Sequence, residues 1–241
     1  MNKLLFYVII IITFTLSACG TGNDRLNSAR LRELILEALN KNHDANVALK
    51  GLIDAELFNR KDFNNIRIDS GYINRKYCYS VLLEHFDPSL NRFAIYDDQL
   101  HLYLIDKSLN GNLSLQWIEK ENRNFIFLQE RFLTKDVLSI DRLSIYELYD
   151  TTAGLVYRSI SKLVKENITY SQTIESISTD FILTKIYGIT DSKAIVETDT
   201  FYFYKPDMKY LSTKELFNNF VKKEVEDFRW ITIKPQIPSK E

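Results

Sequence analysis

Along this chain the spacing of apolar residues changes period twice. Leu31, Leu34, Ile35, Ala38 and Leu39 recur at i, i+3, i+4, i+7 and i+8, which puts one apolar stripe on an amphipathic helix. Asn27 or Ser28 can cap its start with a short polar side chain, and the pattern fades at Asn40-Lys41-Asn42. A second helix is expected after Asp44, with Ala48, Leu52, Ile53 and Leu57 inward and Gly51 weakening it. From about Ile66 the period becomes two. Segments 72–86, 92–97, 100–106, 113–120, 124–130, 137–149, 155–160, 167–175, 179–188 and 193–204 read as strands, rich in Tyr, Phe, Val, Ile and Thr. Helical spacing returns in Leu216, Phe217, Phe220, Val221, Val225 and Phe228, behind a capping box of Ser212 and Glu215. Trp230 to Ile233 reads as a last strand and Pro235 to Glu241 as a free tail. The order helix, strands, helix specifies an α+β fold: a predominantly antiparallel β-sheet with amphipathic helices at the N-terminal and C-terminal ends.

Turn residues set an expected register. Asn110-Gly111 is the best two-residue hairpin signal in the chain; it would place Leu104 opposite Trp117 and Tyr103 opposite Ile118. Turns at Asp97-Asp98 and Asn122-Arg123 would set Ile95 opposite Leu100 and Trp117 opposite Leu128. Opposed residues share a face. One face then collects Phe93, Ile95, Leu100, Leu102, Leu104, Leu113, Leu115, Trp117, Ile126 and Leu128, and reads as core. The other collects Tyr96, His101, Tyr103, Ile105, Gln116, Ile118, Phe125 and Phe127. Rings with polar tips can hold a ligand, so Tyr96, His101, Tyr103 and Gln116 are the candidate binding residues. The alternative is that the Leu31/Ile35/Leu39 stripe covers this face.

The first residues change the setting. Met1-Asn2-Lys3 carries one positive charge, and Leu4 to Leu16 is almost unbroken apolar sequence. That run is too short to span a bilayer, which takes ~20 apolar residues, but it suits a secretion signal. It ends in Leu16-Ser17-Ala18-Cys19, which resembles the lipobox of bacterial lipoproteins. The resemblance implies removal of residues 1–18, a lipid thioether on Cys19, and acylation of the new N-terminus by chains of the palmitate kind. Several acyl chains hold a protein firmly, because each buried CH₂ adds ~0.8 kcal/mol. Residues 19–23 form a short leash, reaching ~15–20 Å at ~3.5 Å per residue, to a single domain over 24–234. By analogy with lipoprotein sorting, the uncharged Gly20 favours an outer over an inner membrane where a cell has both.

Removing 18 residues from 241 leaves 223, with 30 basic and 32 acidic side chains. That is enough chain for one sizeable core. No basic stripe asks for nucleic acid. Cys19 is consumed by lipid, so Cys78 has no partner for an internal disulfide. Seven glycines form no phosphate-binding loop, and no HExxH, GxSxG or CxxC occurs. Three histidines, His43, His85 and His101, give no metal-ligand spacing, so no metal or cofactor is expected. The expectation is a lipid-anchored envelope protein that binds a protein or glycan, or serves an envelope complex, without catalysis. The competing expectation is an exported hydrolase using Cys78 with His101, or a carboxylate pair that nothing in the sequence singles out. A catalytic cysteine needs a base beside it. His85 lies ~23 Å along an extended strand, which leaves His101.

Overall fold

The computed structural model describes residues 26–54, 58–73, 76–133, 138–190 and 193–224. The Cys19 lipobox, Leu57, the end of the C-terminal stripe at Val225 and Phe228, the strand at Trp230 and the tail lie outside them. The described chain is mostly antiparallel β-structure in two sheets. Strands β1 (Phe63–Ile73), β2 (Lys76–His85), β3 (Arg92–Asp97) and β4 (Leu102–Asp106) form the first, in sequence order. The second runs in order through β5 (Asn112–Lys120), β6 (Arg123–Leu133), β7 (Leu138–Leu148), β8 (Ala153–Lys165), β9 (Ile168–Ile177), β10 (Phe181–Thr190), β11 (Lys193–Tyr204) and β12 (Lys209–Leu211). Within each sheet every strand pairs with its neighbour in sequence, so both sheets are meanders.

Helix α1 (Ser28–Leu39) begins where Asn27 accepts from the Arg30 amide at 2.9 Å. Its stripe, Leu31, Leu34, Ile35, Ala38 and Leu39, is buried against Tyr79, Val81, Ala94 and Tyr96 on the outer face of the first sheet. The second expected helix is shorter than its apolar spacing suggested. Helix α2 covers only His43–Ala48, because Lys50 and Gly51 both adopt left-handed backbone, which breaks the helix. Leu49 and Leu52 are still buried, from the turn that follows. Helix α3 (Leu216–Glu224) buries Phe217 and Val221 against Ile140, Ile160, Leu163 and Tyr170 of the second sheet. Ser212 accepts from the Glu215 amide at 3.1 Å. Asp199, on β11 and almost fully buried, accepts from Ser212 Oγ and the Leu216 amide.

The two sheets pack through their facing apolar sides. Leu82, Phe93 and Ile95 of the first sheet meet Leu115, Ile126, Leu128 and Tyr146 of the second. Strand β9 pairs with β8 only from Lys162↔Ser171 to Lys165↔Ile168. Beyond that point the sheet curls until β12 lies against β8, enclosing a further core of Phe125, Ile145, Tyr157, Ile182 and Phe201.

Three turn expectations meet three outcomes. The β5–β6 turn centres on Glu121-Asn122, both with positive φ, so Trp117 opposes Ile126 instead of Leu128. That slip is two residues and leaves every face unchanged. The β3–β4 loop is longer than two residues, and Ile95 opposes Leu104. A bulge between Ile95 and Tyr96 then pairs Tyr96 with Leu102. Beyond a bulge the faces exchange, which puts Leu102 in the helix-side core and Tyr103 in the inter-sheet core.

Asn110-Gly111 is not a hairpin at all. It lies on the crossing from the first sheet to the second, and β4 and β5 do not pair. The Asn110 amide donates to Glu130 Oε1 at 2.7 Å, and Gly111 O accepts from Asn91 Nδ2 at 2.8 Å. Gly111 is required there for a different reason. Its φ is 99°, and a Cβ would lie 2.5 Å from Arg131 O. The expected strand 72–86 is almost all β2; only Tyr72 and Ile73 belong to β1, whose other residues lie before it.

Candidate functional site

Across the second sheet's inward face, alternation brings charge where apolar residues would be expected. On β6 the inward positions are Ile126, Leu128, Glu130 and Phe132, and Glu130 opposes Arg142 of β7. Arg142 grips Glu130 through Nε and Nη2, both at 2.6 Å, and the two side chains are 4% and 0% exposed. Arg142 Nη2 also donates to Ser108 O at 3.0 Å.

Beside this pair Arg158, on β8, gathers a second group. Its Nη2 donates to Asp106 Oδ2 at 2.5 Å and to Tyr146 Oη at 3.0 Å. Nη1 donates to Ser108 Oγ at 2.6 Å and Nε to Ser144 Oγ at 2.7 Å. Tyr146 Oη donates to Asp106 Oδ2 at 2.6 Å. Burial disfavours the charged form of Asp106, but the Arg158 guanidinium and hydrogen bonds from Ser108 and Tyr146 outweigh it, and its pKa falls to about 2. Burial acts against Arg158 too, yet the surrounding acidic groups hold its proton more firmly than usual. Both partners are therefore ionised near neutrality.

This group sits at one wall of a cavity of about 670 Å³, bounded by β4, the start of β8 and β12. Its other walls are largely apolar: Leu104, Leu155, Val156, Met208 and Leu211. Tyr149 and Tyr210 also line it. An apolar cavity with a few convergent polar groups and strongly shifted ionisable residues has the general form of a small-molecule site. The group offers no nucleophile with a base beside it. Arg158, Asp106 and Tyr146 are engaged with one another, so the group forms a fixed polar wall at one side of an otherwise apolar cavity.

A second concavity of about 610 Å³ opens where β9 leaves β8, lined by Gln116, Phe127, Gln129, Lys162 and Gln172 among others. It is more open, and its wall is less apolar. Gln129 and Arg131 both donate to Asp141, so that carboxylate is already matched.

The residues singled out from sequence do not converge. Tyr96 is fully buried under the helices, its hydroxyl donating to Leu49 O at 2.8 Å. Tyr103 is buried between the sheets and donates to Asp150 O at 2.9 Å. His101 is exposed, its Nδ1 3.0 Å from Asp97 Oδ2. Gln116 lies on the outer side of the second sheet, in the open concavity. The shared ligand face expected for these four is absent, because the chain changes sheets at residues 107–111 and a bulge at Tyr103 in β4 exchanges the faces of the residues before it. Cys78 is buried and opposes Asp97 across β2 and β3. Burial first, then Asp97 and Asp98, push its thiol up to about 11, so it is not poised to form a thiolate near neutrality.

The residues that build the inter-sheet cavity, Asp106, Ser108, Tyr146 and Arg158, were not anticipated. A signal existed: Glu130, Arg142 and Arg158 occupy inward positions in strands whose other inward residues, Ser144 apart, are apolar or aromatic. Among the described residues no three or more His, Cys, Asp or Glu side chains are grouped to hold a metal ion, and no helix is long and apolar enough to cross a membrane. No protein-family model matches this chain, nor does any curated protein or solved structure.

Proposed function

We propose that this protein is a lipid-anchored bacterial envelope protein, of α+β class with helices closing the sheets at both ends of its domain, that binds a small amphipathic molecule. The binding half rests on one observation: the largely apolar inter-sheet cavity of about 670 Å³ that includes Asp106, Tyr146 and Arg158. Apolar walls favour a ligand body of hydrocarbon or rings. The fixed polar wall of Arg158, Asp106 and Tyr146 favours a ligand with a polar end. The anchor half rests on the Leu16-Ser17-Ala18-Cys19 sequence. By that lipoprotein analogy the membrane is the outer one where two exist.

The binding half is tested by titrating the purified protein with N-phenyl-1-naphthylamine, an apolar dye that brightens out of water. The reading expects a saturable rise in emission; a linear, unsaturable rise would contradict it. The anchor half is tested with Cys19→Ala in cells. Loss of acyl-chain labelling and of membrane fractionation is expected, whereas normal fractionation of that variant would overturn the anchor.

A further inference from the structure

We propose that the protein stands on the bilayer with Tyr72 of β1 and Tyr77 of β2 in the lipid headgroup layer. This rests on the anchor at Cys19. Three observations carry it beyond that anchor.

First, the described chain enters the fold near those tyrosines. The Leu26 amide donates to Asp98 O at 2.9 Å, and Leu26 O accepts from Tyr79 Oη at 2.8 Å. Cys19 to Arg25 is seven residues, a reach of at most about 25 Å. The Leu26 end of the molecule is thus the end nearest the lipid.

Second, Tyr77 is two residues from Tyr79 along β2, about 7 Å. Tyr72 opposes it across the hairpin, their rings 5.1 Å apart edge to face. The two are 58% and 51% exposed. Tyrosine has an apolar ring and a hydroxyl that stays hydrated, which is why it collects at membrane interfaces. Exposed Lys76 sits beside Tyr77, where its ammonium meets anionic headgroups.

Third, the far end of the same strand supplies the contrast. Phe86 follows β2 at its other end and is 68% exposed. It lies nine positions along the chain from Tyr77, about 30 Å when extended. Both ends show an aromatic to solvent, but only one adjoins the point of entry.

The test uses the full lipidated chain in vesicles of phosphatidylethanolamine and phosphatidylglycerol that carry a lipid with a photoreactive diazirine near its headgroup. After irradiation, adducts are mapped by mass spectrometry. Adducts are expected on Tyr72 and Tyr77 and not on Phe86. In the Tyr72→Ser/Tyr77→Ser variant the hairpin adducts should be lost while those on residues 19–25 persist, with the melting temperature showing that the variant is folded. Adducts confined to residues 19–25 in the unaltered protein, or equally frequent at Phe86, overturn the orientation and leave the anchor intact. Protein that does not float with the vesicles overturns the anchor and the orientation with it.

Discussion

The two sheets meet through an interface with unlike halves. In one, Leu82, Phe93, Ile95, Ile126 and Leu128 pack as an apolar layer. In the other, Glu130–Arg142 and Asp106–Arg158–Tyr146 are buried as ions and hydroxyls tied to one another and to the 107–111 crossing. The apolar half contributes stability in proportion to area and tolerates many side chains of similar volume. The ionic half contributes little net stability, since desolvating the charges offsets their attraction. It instead ties down the crossing between β4 and β5, through Ser108 and the Asn110 amide. The lesson is that one half holds the sheets together and the other sets their connection.

That contrast is most easily broken at Arg142. Arg142→Met leaves Glu130 buried without its charge partner and should cost about 3–5 kcal/mol in urea unfolding. Replacing both, as Glu130→Leu/Arg142→Met, should recover most of that loss. A double variant as unstable as the single one would mean that the pair itself holds the fold. In the apolar half Phe93→Ala should cost about 3–5 kcal/mol through the cavity it leaves. A loss below about 1 kcal/mol would place Phe93 outside the load it shares with Tyr146, whose ring lies 4.8 Å away.

The ionic half should also show in acid. The pKa of Asp106 is depressed in the folded state from 3.8 to about 2. A depressed carboxylate stabilises the fold at pH values above its unfolded pKa, and that contribution fades as pH falls through the folded one. About 2 kcal/mol should therefore disappear between pH 5 and pH 1, measured by urea midpoints. Asp106→Asn should flatten that part of the profile; an unchanged slope would contradict the pairing with Arg158. The smallest effect concerns Cys78. A polar maleimide should label it only on unfolding, and Cys78→Ala should cost about 1 kcal/mol. Rapid labelling of the native thiol would show it exposed and reopen nucleophilic chemistry.

Much of the apolar half was legible in the sequence, for a physical reason. Alternation assigns faces, and a turn misplaced by one residue shifts register by two, which leaves faces alone; Trp117, Ile126 and Leu128 keep theirs. Trp117 packs over Gly71, where any side chain would collide with its ring, and donates to Ser80 Oγ. The ionic half was not legible. It depends on which sheet follows residue 106, and local turn chemistry at Asn110-Gly111 cannot report that, because a left-handed glycine serves a crossing as well as a hairpin. The β4 bulge is equally silent in sequence, yet it puts Tyr103 beside Leu104 in the inter-sheet core and moves Leu102 to the helix side. The ligand face inferred from Tyr96, His101, Tyr103 and Gln116 failed at these two points. The helix stripe at Leu31, Ile35 and Leu39 was legible because it needs only local spacing.

If the cavity between the sheets takes a ligand, a side chain added at Gly154 should block it. Gly154 lines that cavity, and a Cβ added there would come no nearer than 3.9 Å to Tyr149 Cε2. Gly154→Leu should therefore fill part of the space without disturbing the fold. The decisive measurement is a titration of N-phenyl-1-naphthylamine into Gly154→Leu beside the unaltered protein, with thermal melting of both. The expected result is loss of saturable binding with the melting temperature unchanged within a few degrees. Unaltered saturable binding in a normally melting variant would contradict the account, because the dye would then be held elsewhere.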